Sequence, residues 1–284
     1  MSKAKKGKAV SFNTDSTEDV DLGTDRPRHQ LACLEVWGGN NIADELVQLP
    51  GLVGAIHSKP AEGATVGGDV YYLTVCDRNV LSRVVLADVA GHGEAVAEAA
   101  LKLRRLLEKY INALDQSELM REINQAFRNE NGDFIDYATA AVLAYYCESG
   151  TLVFANAGHP PALWYHRDER TWDWLDERTA HAVTAVAGVP LGLIGGTEYQ
   201  QTAVQLGGGD LLILYTDGIT ECADETGREL GYEGLLSLLR DLPLEPSIET
   251  ANALVRAVEK FRAAAPCLDD QSVIVLQRTE ACLS

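Results

Sequence analysis

The sequence contains no run approaching the roughly 20 consecutive apolar residues of a membrane span. Its lysine-rich start (Lys3, Lys5, Lys6, Lys8) is not followed by an apolar stretch, so it does not read as a leader. Both absences point to a soluble protein. Basic residues are scarce: 24 Lys and Arg stand against 42 Asp and Glu, a formal net charge of -18. A surface of that sign cannot displace counterions from a polyanion, which argues against nucleic acid and against anionic membranes as partners. Six scattered cysteines (Cys33, Cys76, Cys147, Cys222, Cys267, Cys282) form no Cys-x-x-Cys pair and no zinc-spaced cluster. They read as reduced thiols in a cytoplasmic setting. The glycine-rich pieces GGD, GHG and GGG do not fit the G-x-G-x-x-G dinucleotide fingerprint, and no internal repeat is present.

What is present is an ordinary globular composition, 46% hydrophobic and 23% charged over 284 residues, enough for a sizeable core. Residues 1–30 are polar and aperiodic and read as a disordered tail, leaving 31–284 as a single domain. Apolar, β-branched runs predict strands at 51–57, 70–76 and 80–89. A 3.6-residue period (Val96, Ala100, Leu103, Leu107, Tyr110) predicts a helix from Glu94 to about Asn112, and a second helix follows from Ser117. Runs at 139–147 and 151–158 form a hairpin, which 162–166 extends as a third strand. The polar stretch 167–180 reads as a loop, followed by strands at 182–187, 199–206 and 210–216. Helices near 233–241 and 248–264 and a strand at 272–278 complete the pattern. Consecutive strands with segregated helices indicate an α+β class with antiparallel sheets.

Aspartates stand at the ends of these apolar runs in four turns: VGGDVYY (66–72), LADVAGHG (86–93), LYTDGITE (214–221) and CLDDQSVIVL (267–276). A carboxylate at a strand end is held by the sheet, and a flanking glycine lets backbone or ligand approach closely. Converging oxygen ligands suit Mg2+ or Mn2+, and paired ions of this kind split phosphate esters. For any one aspartate, turn chemistry alone is a sufficient explanation.

Taken in order, GGDVY (67–71), LADVAGHG (86–93), FANAGHPPALW (154–164), GVPLG (188–192), LLILYTDGITE (211–221) and DDQSVIVL (269–276) resemble the PPM-type (protein phosphatase 2C-like) metal-dependent serine/threonine phosphatases, in their bacterial SpoIIE/RsbU-like branch. The resemblance covers roughly residues 50–278. It implies a four-layer α-β-β-α sandwich holding two Mn2+ or Mg2+ ions at one end of the sheets, and direct hydrolysis of phosphoserine or phosphothreonine. By motif, Asp88 bridges the ions, with the Val89 carbonyl and Asp69 on one of them. Asp217 and Asp269 hold the other, with Asp270 the alternative to Asp269, sharing or replacing its role.

His92, between two glycines, either protonates the leaving oxygen or shapes the turn into the helix. Gly91, Gly93 and Gly218 allow tight backbone geometry. Glu221 is either an acid behind the ligands or an ordinary polar residue. His159 is read as structural, fixed by Pro160 and Pro161, and Trp164, Trp172 and Trp174 as packing residues or a docking surface. In this branch an acidic residue often follows the GGD turn where Tyr72 stands, which puts a further carboxylate in doubt. The resemblance points to a phosphorylated anti-anti-sigma-type protein as substrate, with regulation through partners or a homodimer. The alternative is a non-catalytic binding module of the same fold.

Overall fold

The computed structural model describes residues 28–31, 36–75, 80–91, 94–110, 113–128, 137–175, 188–244 and 247–279. One sheet has seven strands in the order β1 (Arg28–Gln30), β3 (Ala43–Leu49), β4 (Leu52–Lys59), β13 (Gln271–Arg278), β12 (Leu211–Tyr215), β9 (Ala162–His166), β10 (Thr171–Leu175). The other has six: β11 (Gln201–Gln205), β8 (Thr151–Ala157), β7 (Ala138–Tyr146), β6 (Leu81–Val89), β5 (Asp69–Val75), β2 (Val36–Gly39). Every pairing is antiparallel except β1 with β3.

The layers follow from strand alternation, because successive side chains leave a strand on opposite faces. On β6, Val84 and Leu86 enter a central core, where they meet Leu212, Leu214, Ile274 and Leu276 of the other sheet. The intervening Val85, Ala87 and Val89 face outward onto α1 (Glu94–Lys109) and α2 (Gln116–Phe127), packing with Leu103, Leu107, Met120, Ile123 and Phe127. On the far side, Ile213, Tyr215, Val273 and Val275 pack against α4 (Gly231–Arg240) and α5 (Ser247–Arg262) through Leu235, Leu239, Leu254 and Val258. The result is the expected four-layer α-β-β-α sandwich. Each fully buried Leu or Ile contributes about 1.5–3 kcal/mol, so the three apolar layers carry the fold.

The α1–α2 turn is tied to the sheet by a buried arginine. Arg83 donates from Nε to Gln116 Oε1 (3.0 Å), and its guanidinium also reaches the Ala113 carbonyl. The Asp115 side chain caps α2 by accepting from Glu118 N (2.8 Å).

Four expectations need correction. Residues 162–166 do not extend the β7–β8 hairpin: β9 lies in the opposite sheet, between β12 and β10. Gly158 adopts a left-handed φ of 72°, and the following prolines cannot continue a ladder, so the chain crosses over at Asn156–Pro161. The stretch expected as a loop at 167–180 contains β10, whose Trp-Asp-Trp alternation suits a half-covered edge strand. A short helix, α3 (Asp217–Thr220), stands where only a turn was expected. Cys147 is disulfide-bonded, while Cys222 and Cys267 are free and buried. The reading of six reduced thiols therefore fails at Cys147, and with it the cysteine argument for a reducing compartment. The predicted strand at 182–187 lies outside the described residues, as does the tail through residue 27. Among the described residues, no helix is long and apolar enough to cross a membrane.

Candidate active site

At one end of the sandwich the inward-facing rows change from apolar to polar. Continuing the alternation that places Tyr71 and Leu73, Leu86, Ala141 and Leu143, Ile56, Leu214 and Ile274 in the central core, the next inward positions are Asp69, Asp88, Thr139, Ser58, Thr216 and Ser272. Antiparallel pairing puts these strand ends side by side. Asp69 stands directly across from Asp88, and Asp88 across from Thr139. In the other sheet Ser272 stands across from Ser58, their hydroxyls 2.8 Å apart. The two sheets are joined here by Thr216, whose hydroxyl donates to Asp69 Oδ2 (2.9 Å) while accepting from Ser272 N (3.0 Å).

Like charges directly opposed across a strand pair destabilise a sheet, so the Asp69–Asp88 pairing runs against local stability. The electrostatics show the cost. Burial, and then the charge of Asp88, push the Asp69 carboxyl well above its ordinary range, against partial relief from Ser272 and Thr216; only 3% of Asp69 is exposed. Burial raises Asp88 to about 7, helped by the charges of Asp217, Asp269, Asp270 and Glu221 in that order. Asp269 is raised by burial, by Asp217 and by Asp270, against a backbone hydrogen bond from Asp270. Glu221 is raised by burial, Asp217, Glu229 and Asp269. The charge of Asp217 on α3 thus bears on Asp88 of β6, on Asp269 in the loop before β13 and on Glu221 just after α3.

The adjacent Asp269 and Asp270 have different surroundings. Asp270 is clamped by backbone: Oδ1 accepts from Ala61 N (2.7 Å) and Oδ2 from Gly68 N, which ties the 61–68 loop to the start of β13. Asp269 accepts at Oδ1 from Asp270 N (2.8 Å) and lies within the field of Asp217. Glycine makes this packing possible at two points. A Cβ on Gly68 would lie 2.7 Å from the Val89 carbonyl oxygen, and one on Gly218 would collide with the Asp270 carbonyl oxygen. The Val89 carbonyl therefore stands close against the Asp69 turn.

His92 and Gly93 lie outside the described residues. Tyr72 is 1% exposed and belongs to the helix-facing core, with Val70 and Val85. A carboxylate at that position would point away from Asp69 and Asp88, so its absence leaves the cluster intact. Trp164 is buried between the sheets, its indole donating to Asp210 Oδ2 (2.9 Å). Trp172 and Trp174 are half-buried against Tyr165 and Tyr232.

Polar side chains line the strand ends beside the carboxylates. His159, 5% exposed, shares a hydrogen bond between Nδ1 and Thr139 Oγ1 (2.9 Å). Its backbone is gripped by Asn156, which accepts from His159 N (2.8 Å) and donates to its carbonyl (2.9 Å). Burial lowers its pKa to about 3, with the Tyr215 backbone opposing, so the ring stays neutral. The signal was in the alternation: Thr139, Thr216, Ser58 and Ser272 are the hydroxyl residues that interrupt inward apolar rows at one end.

The donor set consists of oxygens, carboxylate and carbonyl, which suits a hard divalent cation. The raised carboxyls of Asp69, Asp88, Asp269 and Glu221, buried and exposed to one another's or to Asp217's charge, are of the kind a cation would relieve. Among the described residues no three His, Cys, Asp or Glu side chains are drawn tightly enough together to hold an ion as they stand.

Residues 81–279, well over half of the chain, match the family described as Stage II sporulation protein E (SpoIIE). The phosphoserine phosphatase RsbP of Bacillus subtilis (strain 168) is 26% identical over 216 residues, 74% of this chain and 49% of RsbP. The chain thus spans about half the length of that curated relative. In fold it is similar to the SiaA-PP2C domain of Pseudomonas aeruginosa, with a TM-score of 0.67 and 24% identity over 79% of this chain and 85% of that one. It is similar also to RsbX in complex with magnesium, with a TM-score of 0.60 and 17% identity over 84% of this chain and all (100%) of that one.

Proposed function

The chain belongs to the SpoIIE family, and from that premise we propose that it is a metal-dependent protein serine/threonine phosphatase. The observation that carries the reading is the inward-facing Asp69–Asp88 pair, placed within the field of Asp217 and Asp269 from the opposite sheet. A fold does not need two opposed carboxylates at a strand end, and their cost is accounted for by a ligand that neutralises them.

In this reading Asp69, Asp88, Asp217, Asp269 and the Val89 carbonyl would hold two Mn2+ or Mg2+ ions. When bound, the ions supply the acidity that ionises a water and the positive charge that offsets the phosphate. The remaining work belongs to the chain. Thr216 and Ser272 fix the Asp69 carboxylate and hold the two sheets at a constant separation. Asp270 acts as a clamp, anchoring the loop that carries Gly68 rather than contacting an ion. His92 is assigned the proton for the leaving serine or threonine oxygen. The substrate is a cytoplasmic phosphoprotein of the anti-anti-sigma type, in keeping with the phosphoserine phosphatase activity in the name of RsbP.

The test is phosphate release from p-nitrophenyl phosphate and from a phosphoserine peptide, with Mn2+, Mg2+ or EDTA, comparing wild type with Asp88→Asn. Metal-dependent turnover that the substitution abolishes is expected. Turnover in EDTA, or a fully active variant, would sink the reading.

A further inference from the structure

Among the described residues, most of the large hydrophobic side chains left exposed gather at one end of the sandwich. Ile42 is 72% exposed, Val66 40% and Leu268 84%. These three come from separate loops laced together around Asp270. The loop of Val66 is tied to that of Ile42 by Gly67 N donating to the Asn40 carbonyl (3.2 Å) and Asn40 Nδ2 donating to the Gly67 carbonyl (3.2 Å). It is tied to the segment of Leu268 by Glu62 N donating to the Cys267 carbonyl (2.9 Å), and by the Asp270 clamp. Ile42 precedes Ala43, which pairs with Ser58 on the polar end of β4, so this arc lies at the carboxylate end of the sandwich.

A second arc lies across the site at the same end. Tyr137 (38%), just before β7, accepts at its carbonyl from Ala90 N in the turn after Asp88. Leu193 (37%) and Ile194 (55%) follow Leu191, which bridges to Ala138. Outside these two arcs, the exposed large hydrophobics among the described residues are Leu101 and Leu114, on or beside the helical pair, and Tyr232 on α4, whose ring packs edge-on against Trp174. Exposed apolar surface gathered around an acidic centre marks a docking surface rather than chance, since isolated exposed hydrophobics distribute without pattern.

We propose that this apolar collar docks the residues flanking the phosphorylated side chain of a protein substrate, and that the arc of Ile42, Val66 and Leu268 selects apolar flanks. The occupant follows from position. Leu268 adjoins Asp269, so a phosphorylated serine that reaches the carboxylates lays its own chain over Leu268 and the loops bound to it. Acidic flanks are excluded by the surrounding negative charge. A small phosphate ester would leave the collar uncovered. This inference rests on the phosphatase reading for its substrate, but its recognition component is measurable without turnover.

The experiment uses fluorescein-labelled phosphoserine peptides with leucine, serine or aspartate on both sides of the phosphorylated residue. Their binding is followed by anisotropy, with turnover of the same peptides and of p-nitrophenyl phosphate measured in parallel. Wild type is expected to bind the leucine-flanked peptide at least roughly 10-fold more tightly than the serine-flanked one, the effect of covering one or two leucine side chains. Ile42→Gln and Leu268→Gln, both at exposed positions that do not threaten folding, are expected to remove most of that preference through KM. Rates on p-nitrophenyl phosphate should stay unchanged. Equal binding of leucine- and serine-flanked peptides by wild type overturns the collar. So does a preference that survives both substitutions, or a loss that is equal on peptide and aryl phosphate. If no substrate turns over with any metal while the leucine preference in binding persists, the phosphatase reading fails and the collar stands.

Discussion

Asp88→Asn should make the metal-free protein more stable at neutral and alkaline pH while removing its activity. In the folded state the Asp88 carboxyl is raised from 3.8 to about 7, first by burial and then by Asp217, Asp269, Asp270 and Glu221. A displacement of that size corresponds to a ceiling of about 4 kcal/mol for ionising the group in place, at about 1.4 kcal/mol per tenfold change. Side-chain relaxation and water at the rim of the sandwich reduce this, so about 2 kcal/mol is expected at pH 8. For a domain of this size that is roughly 4 °C in Tm. Because the folded state holds the proton more tightly than the unfolded chain, the penalty is absent below pH 3.8. It grows as pH rises toward 7, so the advantage of the neutral asparagine should be near zero at pH 4 and fully developed at pH 8. Calorimetric melts of wild type and variant in EDTA across that range measure the difference directly, and the other carboxylates, shared by both proteins, cancel to first order. Saturating Mn2+ should reverse the order, since binding stabilises the protein that retains its ligand. A variant no more stable than wild type at pH 8 in EDTA, or equally more stable at pH 4, would refute the account of the carboxylate cluster.

Asp269→Asn and Asp270→Asn should part company. The first should abolish metal-dependent turnover with little loss of Tm, whereas the second should keep measurable turnover and lose about 1–3 kcal/mol as the clamp on Ala61 N and Gly68 N weakens, read by urea melts beside initial rates. His159→Phe should destabilise by about 2–4 kcal/mol, because Thr139 loses its partner beneath Asp88. The pH profile of the same comparison is also informative: His159 is held down to about 3 against an ordinary 6.5, so its contribution is full above pH 6.5 and falls away as pH drops toward 3, and the gap between wild type and variant should narrow over that window. Gly218→Ala should lower kcat by at least roughly 10-fold while sparing the fold, since its Cβ meets the Asp270 carbonyl and must shift the turn between Asp217 and Asp269; circular dichroism and Mn2+ titration separate the two effects.

Much of the fold was legible because its information is local. The strands β5 to β8, β12 and β13 carry β-branched, apolar runs with turn residues between them, and α1 and α2 show a clean 3.6-residue period. The strands missed, β1 to β3 and β10, lie at or toward the sheet edges, where one face meets solvent and polar residues interrupt the run: β3 is ADELVQL and β10 is TWDWL. The crossing of β9 into the other sheet was not legible, because a hairpin and a change of sheet both begin with a strand, a glycine and a turn. The disulfide at Cys147 was missed for a related reason: six scattered cysteines show no spacing that announces a pair.

The sequence by itself determined which aspartates would stand at strand ends, because the boundary of an apolar run and the glycine beside it are properties of a few neighbouring residues. It also determined, through alternation, that Asp69 and Asp88 share a face with the apolar residues two and four positions away. The tertiary structure alone decided what that face looks onto. Pairing across sheets brings Thr216 to Asp69 over 147 positions and Ala61 to Asp270 over 209, contacts that hydrogen-bond Asp270 to the 61–68 loop, while Asp269 lies within the field of Asp217. A carboxylate's charge is written in the sequence, but the burial and opposing charge that raise Asp88 to about 7 exist only once distant strand ends share one low-dielectric space.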